Sequence, residues 1–334
     1  MKEAMFWEKE MAGYVRCRLC HHYCRIQSGA RGICGVRENM GGELVSLVYG
    51  RPIATAVDPI EKKPLYHVLP GSQAYSLGTV GCNMHCLHCQ NCSISQLRPD
   101  AEVTGHSGVS PDEIVAMAMG NGCESIAYTY NEPTIFYEYA YDIARLAHYA
   151  GLKNLFVTNG YISPEALVEM APYLDAANID LKFFNDEHYR EVTGAALAPI
   201  LDTIRLYHKL GIWMEITTLV IPGYNDDAEQ LGAMAGFIAD IDPGIPWHVS
   251  AFFPTYQLTD VKPTPRAALD MAQRIGRAAG LRYVYLGNVR ASADTVCPTC
   301  GRGLVERNGA RVWVEDLPDG CCPSCETRIG GVWA

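Results

Sequence analysis

The chain has 334 residues, 49% of them apolar, and a formal net charge of −10. That length and apolar content suit one sizeable core with small appendages. The acidic balance excludes a duplex nucleic-acid binder, which needs a basic face for phosphates, and no apolar run is long enough to span a bilayer.

The N-terminus, Met1 to Arg16, carries Lys2, Glu3, Glu8, Lys9 and Glu10 and lacks the apolar segment of a secretory signal. A cytoplasmic location is therefore expected, where thiols stay reduced and clustered cysteines read as metal ligands. Fourteen cysteines are present, and all but Cys123 fall into three groups. Cys123 reads as a small buried hydrophobe. The first group, Cys17, Cys20, Cys24 and Cys34, lies among Gly29, Gly32 and Gly35, whose freedom permits a wrap around one metal. Zinc is the first expectation there, an auxiliary iron–sulfur cluster the second and unligated thiols the third. A hairpin-like stretch from Gly41-Gly42 into Leu44–Tyr49 follows. Pro52, Pro59, Pro64 and Pro70 then mark an irregular connector, so residues 1–70 read as an N-terminal Cys-rich metal-binding segment.

A strand-like run, Tyr75–Val80, leads directly into Gly81-Cys82-Asn83-Met84-His85-Cys86-Leu87-His88-Cys89-Gln90-Asn91-Cys92. Cys82, Cys86 and Cys89 at C-x3-C-x2-C spacing cannot close a tetrahedron around zinc unless Cys92, His85 or His88 adds a fourth ligand. They can instead hold three irons of a [4Fe–4S] cube and leave the fourth open to a non-protein ligand.

Strand-length apolar runs recur at Ser125–Tyr130, Asn154–Thr158, Ala177–Leu181, Met214–Ile221 and His248–Phe253, with a last one at Arg282–Leu286. Between them, Ser110-Pro111-Asp112-Glu113 is a capping box that opens a helix through Met119. Ile135–Ala150 has helical apolar spacing and stops at Gly151. Ser163-Pro164-Glu165 starts another helix, and Asp226–Ile238 and Pro265–Ala279 read as helical too. Six strand–helix alternations predict an α/β fold, a parallel sheet wound as a partial (β/α)6 TIM-like barrel over residues 71–292. Ligand-binding residues of such folds gather at the C-terminal strand ends. Those ends carry the cysteine triad, Tyr130-Asn131-Glu132-Pro133, Thr158-Asn159-Gly160-Tyr161, Asp180-Leu181-Lys182, Pro222-Gly223-Tyr224-Asn225-Asp226 and Phe253-Pro254-Thr255-Tyr256.

The third cysteine group is Cys297-Pro-Thr-Cys300 and Cys322-Pro-Ser-Cys325. Two C-x2-C knuckles joined by a hairpin, Leu304–Glu306 and Arg311–Val314 across Asn308-Gly309, predict a zinc ribbon at residues 293–334. Cys321 stands outside the knuckle register.

The cysteine spacing together with Tyr-Asn-Glu-Pro, Thr-Asn-Gly, Asp-Leu-Lys and Ile-Pro-Gly resembles the radical S-adenosylmethionine (SAM) superfamily. The resemblance implies that SAM chelates the open iron and is reductively cleaved to a 5′-deoxyadenosyl radical that abstracts hydrogen from a substrate. It implies that Asn131 and Glu132 meet the SAM ammonium, with Tyr130 standing where the superfamily has a glycine. Asp180 and Lys182 would form a charged pair near the SAM carboxylate and ribose, and His88, Thr158 and Asn159 complete the expected cofactor-binding set. The order of segments along the whole chain resembles the radical SAM member of the AmmeMemoRadiSam system, which is related to pyruvate formate-lyase activating enzyme. That resemblance implies AMMECR1-like and Memo-like partners, an electron donor such as a flavodoxin or ferredoxin, and a small-molecule or protein substrate. Two other readings stand beside it: a glycyl-radical enzyme activase, and a metal-loaded adaptor that performs no chemistry.

Overall fold

A computed structural model describes residues 1–97, 101–106, 108–309 and 311–334. Eight strands make the central sheet: β1 (Ala54–Pro59), β2 (Gln73–Gly78), β3 (Ser125–Tyr128), β4 (Lys153–Thr158), β5 (Ala176–Asp180), β6 (Trp213–Val220), β7 (Trp247–Ala251) and β8 (Val284–Gly287). Their spatial order is their sequence order. β2 to β8 are parallel, and β1 is an antiparallel edge on β2. Each crossover advances one place in the same direction, so the active loops collect along a single rim.

The helices of seven or more residues among the described residues are α1 (Pro111–Gly120), α2 (Tyr137–Tyr149), α3 (Pro164–Met170), α4 (Asp186–Thr193), α5 (Leu197–Lys209), α6 (Ala228–Ile241) and α7 (Arg266–Ala278). Local chemistry explains where several begin. Ser110 Oγ accepts from Glu113 N while the Glu113 carboxylate accepts from Ser110 N, closing the capping box of α1. α2 buries Tyr137, Ala140, Ile143, Ala144 and Ala147, a stripe at helical spacing against β3 and β4. β3 is buried along its whole length, as a parallel strand covered on both faces must be.

Three elements depart from expectation. The proline-marked connector contains β1, which survives because it is an edge strand that ends at Pro59. Two helices, α4 and α5, occupy the crossover between β5 and β6. α4 is polar along most of its length, and α5 carries Pro199 in its first turn, where a missing N–H costs nothing. α3, by contrast, starts after Ser163 as expected, although Ser163 makes no side-chain cap.

The terminal segments attach to opposite ends of the strands. At the C-terminal rim, Ser163 N donates to Leu19 O and His21 N to Tyr161 O, which seats the N-terminal cysteine segment over the loop after β4. Behind it, Arg37–Met40 and Glu43–Ser46 form the expected hairpin across Gly41-Gly42, both glycines at positive φ. At the opposite end lies the C-terminal cysteine unit, three antiparallel strands at Thr295–Val296, Gly303–Asn308 and Arg311–Val314. Its core of Cys297, Leu304, Cys322 and Ile329 is completed by Tyr283 and Tyr285 of the sheet region. No helix among the described residues is long and apolar enough to cross a membrane.

Candidate cluster and cofactor site

β2 ends at Gly78, and the chain turns through Gly81 into the cysteine loop. Gly81 has φ +93°, and a Cβ there would lie 2.6 Å from Cys34 O and 2.7 Å from Val36 Cγ1. Gly81→Ala is therefore expected to push the loop off its seat, read as an iron content well below wild type after reconstitution with secondary structure unchanged.

Four backbone contacts pin the loop: Gly81 N on Ile94 O (2.8 Å), His85 N on Thr193 O (2.8 Å), Leu87 N on Val192 O (2.9 Å) and Gln257 N on Leu87 O (3.0 Å). The end of α4 and the turn after β7 thus clamp a segment with no regular structure of its own. Cys82 and Cys86 are buried and Cys89 is half-buried, its Sγ 3.0 Å from Ser95 Oγ. The three sulfurs do not form a group within 4.8 Å of one another; the one set of three or more ligating groups at that spacing among the described residues is C-terminal. The triad is thus spread too widely for a single tetrahedral ion, whereas a multi-iron cluster separates its thiolates because each binds its own iron. Burial raises the Cys82 thiol well above its ordinary pKa, and it raises Cys86 to about 11 even with the Lys182 charge nearby. A metal cation is the partner that makes such thiolates stable.

Asn131 supports the loop from below, its Nδ2 donating to Thr79 O (2.8 Å) and Gly81 O (2.7 Å). Its Oδ1 is buried and has no donor. Tyr130 holds φ +70°, so the backbone keeps the left-handed conformation natural to the glycine of the resembling motif. The Tyr130 hydroxyl donates to Asp58 (3.0 Å) and Lys63 Nζ lies 4.9 Å from the ring centroid, contacts that a glycine could not make.

Glu132 lies beneath the rim. It is fully buried; Oε1 accepts from Thr134 N (3.0 Å), Thr134 Oγ1 (2.6 Å) and Thr158 Oγ1 (2.8 Å), and Oε2 from Asn159 N (2.7 Å). Burial raises its pKa, and these donors work against that rise. Its observed work is positioning: it fixes Thr158 and Asn159, and Asn159 Nδ2 then reaches Asn83 Oδ1 at 2.8 Å, beside Cys82.

Across the rim, Lys182 Nζ donates to Asp180 Oδ2 at 2.7 Å. Burial opposes the Lys182 charge, yet Asp180 and Cys86 hold its pKa above the ordinary value. His88 is buried, with Nδ1 unpartnered; burial and the Lys182 charge lower its pKa to about 3, so it is neutral at physiological pH. Asn225, which the sequence marked only as part of a strand-end loop, is buried and donates to Lys182 O (2.7 Å) and Leu219 O (2.9 Å) while accepting from Ile221 N (2.6 Å). It fixes the backbone that presents Lys182.

The other cysteine groups differ from the triad and from each other. Cys297, Cys300, Cys322 and Cys325 converge within 4.8 Å, with Cys297–Cys325 at 3.5 Å and Cys300–Cys322 at 3.7 Å, and could hold one metal ion. Cys321 points elsewhere, its Sγ 3.8 Å from Asp319 O. Cys17, Cys20, Cys24 and Cys34 surround a cavity beside Asn83 instead of converging. His21 and His22 pack against Tyr161, and His22 Nε2 bonds Asn83 O at 2.6 Å.

Comparison with known proteins agrees with this geometry. The Radical SAM superfamily profile matches residues 76–235. An uncharacterized protein of Methanocaldococcus jannaschii is 44% identical, covering 98% of this chain and 99% of its own. Pyruvate formate-lyase 1-activating enzyme of Escherichia coli is 22% identical, covering 61% of this chain and 89% of its own. Streptococcus suis SuiB, solved with its precursor peptide SuiA, shares the fold at TM-score 0.50 and 14% identity, over 69% of this chain and 51% of that one. Residues 76–235 are a radical SAM superfamily domain, and the chain is homologous to activating enzymes.

Proposed function

We propose that the chain binds a [4Fe–4S] cluster at Cys82, Cys86 and Cys89, holds SAM on its open iron, cleaves SAM reductively and abstracts hydrogen from a further substrate. The observation that carries this reading is one rim with three thiols too far apart for a single ion, the Asp180–Lys182 pair and two buried polar atoms without partners, Asn131 Oδ1 and His88 Nδ1. These groups fit a zwitterionic ligand. Asn131 Oδ1 offers an acceptor to an ammonium, and Lys182 offers a cation to a carboxylate.

When bound, the cluster supplies the single electron that SAM cleavage consumes. The chain's own residues bind and orient. Gly81 and the clamp from α4 seat the thiols, Glu132 locks Thr158 and Asn159, and Asn225 holds Lys182 in reach of its ligand. Asp180→Ala should weaken SAM binding about tenfold by removing the charge that orients Lys182, a loss of about 1.4 kcal/mol, with the melting temperature little changed. Titration of the reconstituted protein with SAM checks this, and unchanged affinity would make the pair a structural salt bridge.

The electron would come from a flavodoxin or ferredoxin, and AMMECR1-like and Memo-like proteins are the proposed partners. The M. jannaschii relative matches over 98% of this chain, terminal cysteine regions included, which favours chemistry that uses those regions over a minimal glycyl-radical activase. The activase reading is supported by the activating-enzyme relatives; a glycyl-radical signal raised on an added protein would establish it. We assign zinc to the converged C-terminal thiols, because four thiolates close the tetrahedron and leave no position for a reactant. Metal analysis should then find about one zinc per chain that C300S/C325S loses.

A further inference from the structure

We propose that Cys17, Cys20, Cys24 and Cys34 hold a second [4Fe–4S] cluster, ligated wholly by protein and seated against the loop of the first. The four thiols line one cavity together with Arg37 and Asn83. The cavity has a volume of about 20 Å³, more than the ~10–15 Å³ that one water needs. Cys17, Cys24 and Cys34 thus pack on the hydrophobic core and also line this void.

Spacing decides what the void suits. A zinc–sulfur bond of about 2.3 Å holds the sulfurs of a tetrahedral site within roughly 4 Å of one another. The C-terminal thiols meet that requirement at 3.5 and 3.7 Å. Among the described residues, no other set of three or more ligating groups lies within 4.8 Å. The N-terminal thiols line the cavity without any three of them meeting that spacing, as suits ligands to separate irons of a cube.

The polar atoms at the cavity point to the same occupant. Arg37 is 1% exposed. Its Nη2 pairs with Glu138 Oε1 at 2.9 Å and donates to Met5 O at 2.5 Å, but its Nε and Nη1 are buried without an acceptor, as is Asn83 Nδ2. Buried donors left unpaired are rare and costly. The sulfides and thiolates of a cube would accept from all three, and the guanidinium would offset the negative charge that four thiolates bring.

The two clusters would share one loop. Asn83 follows Cys82 in the chain, the Cys34 carbonyl lies against Gly81, and His22 holds the Asn83 carbonyl. Four protein thiolates leave no open iron, so the second cluster is not another SAM site.

The test uses the full chain, purified and reconstituted anaerobically with iron and sulfide as wild type, C82A/C86A/C89A and C20A/C24A. Acid-labile sulfide should be about eight per chain in wild type and about four in each variant. Single-ion C-terminal binding contributes none. In C82A/C86A/C89A the remaining cluster should give a [4Fe–4S] Mössbauer spectrum, and its reduced EPR signal should not change on adding SAM. About four sulfides in wild type and none in C82A/C86A/C89A, with zinc or no metal at the N-terminal site, would overturn the proposal. Should C20A/C24A fail to fold, those two samples still decide. Sulfide counts do not depend on SAM cleavage, so failure here is distinguishable from failure of the functional reading.

Discussion

Replacing Cys82, Cys86 and Cys89 together with Ala should abolish SAM cleavage down to the level seen without protein. It should also remove about four irons per chain. The effect is this large because Cys92, the one thiol left in the segment, cannot hold the cluster alone. Cys92 begins a short helical turn beyond the loop, Cys92–Ser95, and Asn83 and Asn159 are engaged with each other. Folding should survive, since the loop is held by backbone bonds to Thr193, Val192 and Gln257 that the substitutions leave alone. Circular dichroism and the melting temperature would separate lost ligation from lost fold. Deoxyadenosine production that persisted in the triple variant would move the reactive cluster to other cysteines.

The largest stability loss is expected at the other end of the strands, at Glu215. Its carboxylate is fully buried and accepts from His67 N (2.8 Å), Tyr66 N (3.0 Å) and His248 Nε2 (2.6 Å). His67 continues the network toward the C-terminal unit, with Nδ1 on Gly330 O and Nε2 on the Tyr285 hydroxyl, both 2.8 Å. Burial lowers the His67 pKa to about 4, so the ring is neutral; Nδ1–H donates to the carbonyl and Nε2 accepts from the hydroxyl. Trp213 Nε1 adds a longer contact of 3.4 Å, so Glu215→Ala leaves four donors without this acceptor and should cost about 3–5 kcal/mol, read as a lower melting temperature. Burial alone would raise the Glu215 pKa, but the hydrogen bond from His248 and the charges and peptide donors around it hold it below its ordinary value. The native state therefore binds fewer protons there than the unfolded chain. Its contribution is complete above the unfolded carboxyl pKa of about 4.3 and is lost as pH falls below it. Glu215→Ala should accordingly flatten the acid limb of the stability profile.

The sheet was readable because parallel strands buried on both faces leave near-continuous apolar runs, and because Ser110 and Gly151 punctuate helices by local chemistry. What escaped was set by distant partners. β1 exists through its pairing with β2, and polar α4 through what its last residues do for the cysteine loop. The triad was legible in its spacing. The orientation of Glu132, turned inward to Thr134, Thr158 and Asn159, was not, because a sequence motif does not say which way a carboxylate faces. Nor was the dependence of the C-terminal unit on Tyr283 and Tyr285, which makes the boundary near residue 293 a break in sequence pattern and not in the packed core.

Reductive SAM chemistry at the rim triad has a direct chemical readout. The most direct measurement is chromatography of the products after the reconstituted full chain is incubated anaerobically with dithionite and SAM. The expected products are 5′-deoxyadenosine and methionine in equal amounts, absent when reductant is omitted and absent in C82A/C86A/C89A. A cluster-loaded protein that binds SAM and is reduced, yet forms no 5′-deoxyadenosine, would contradict it.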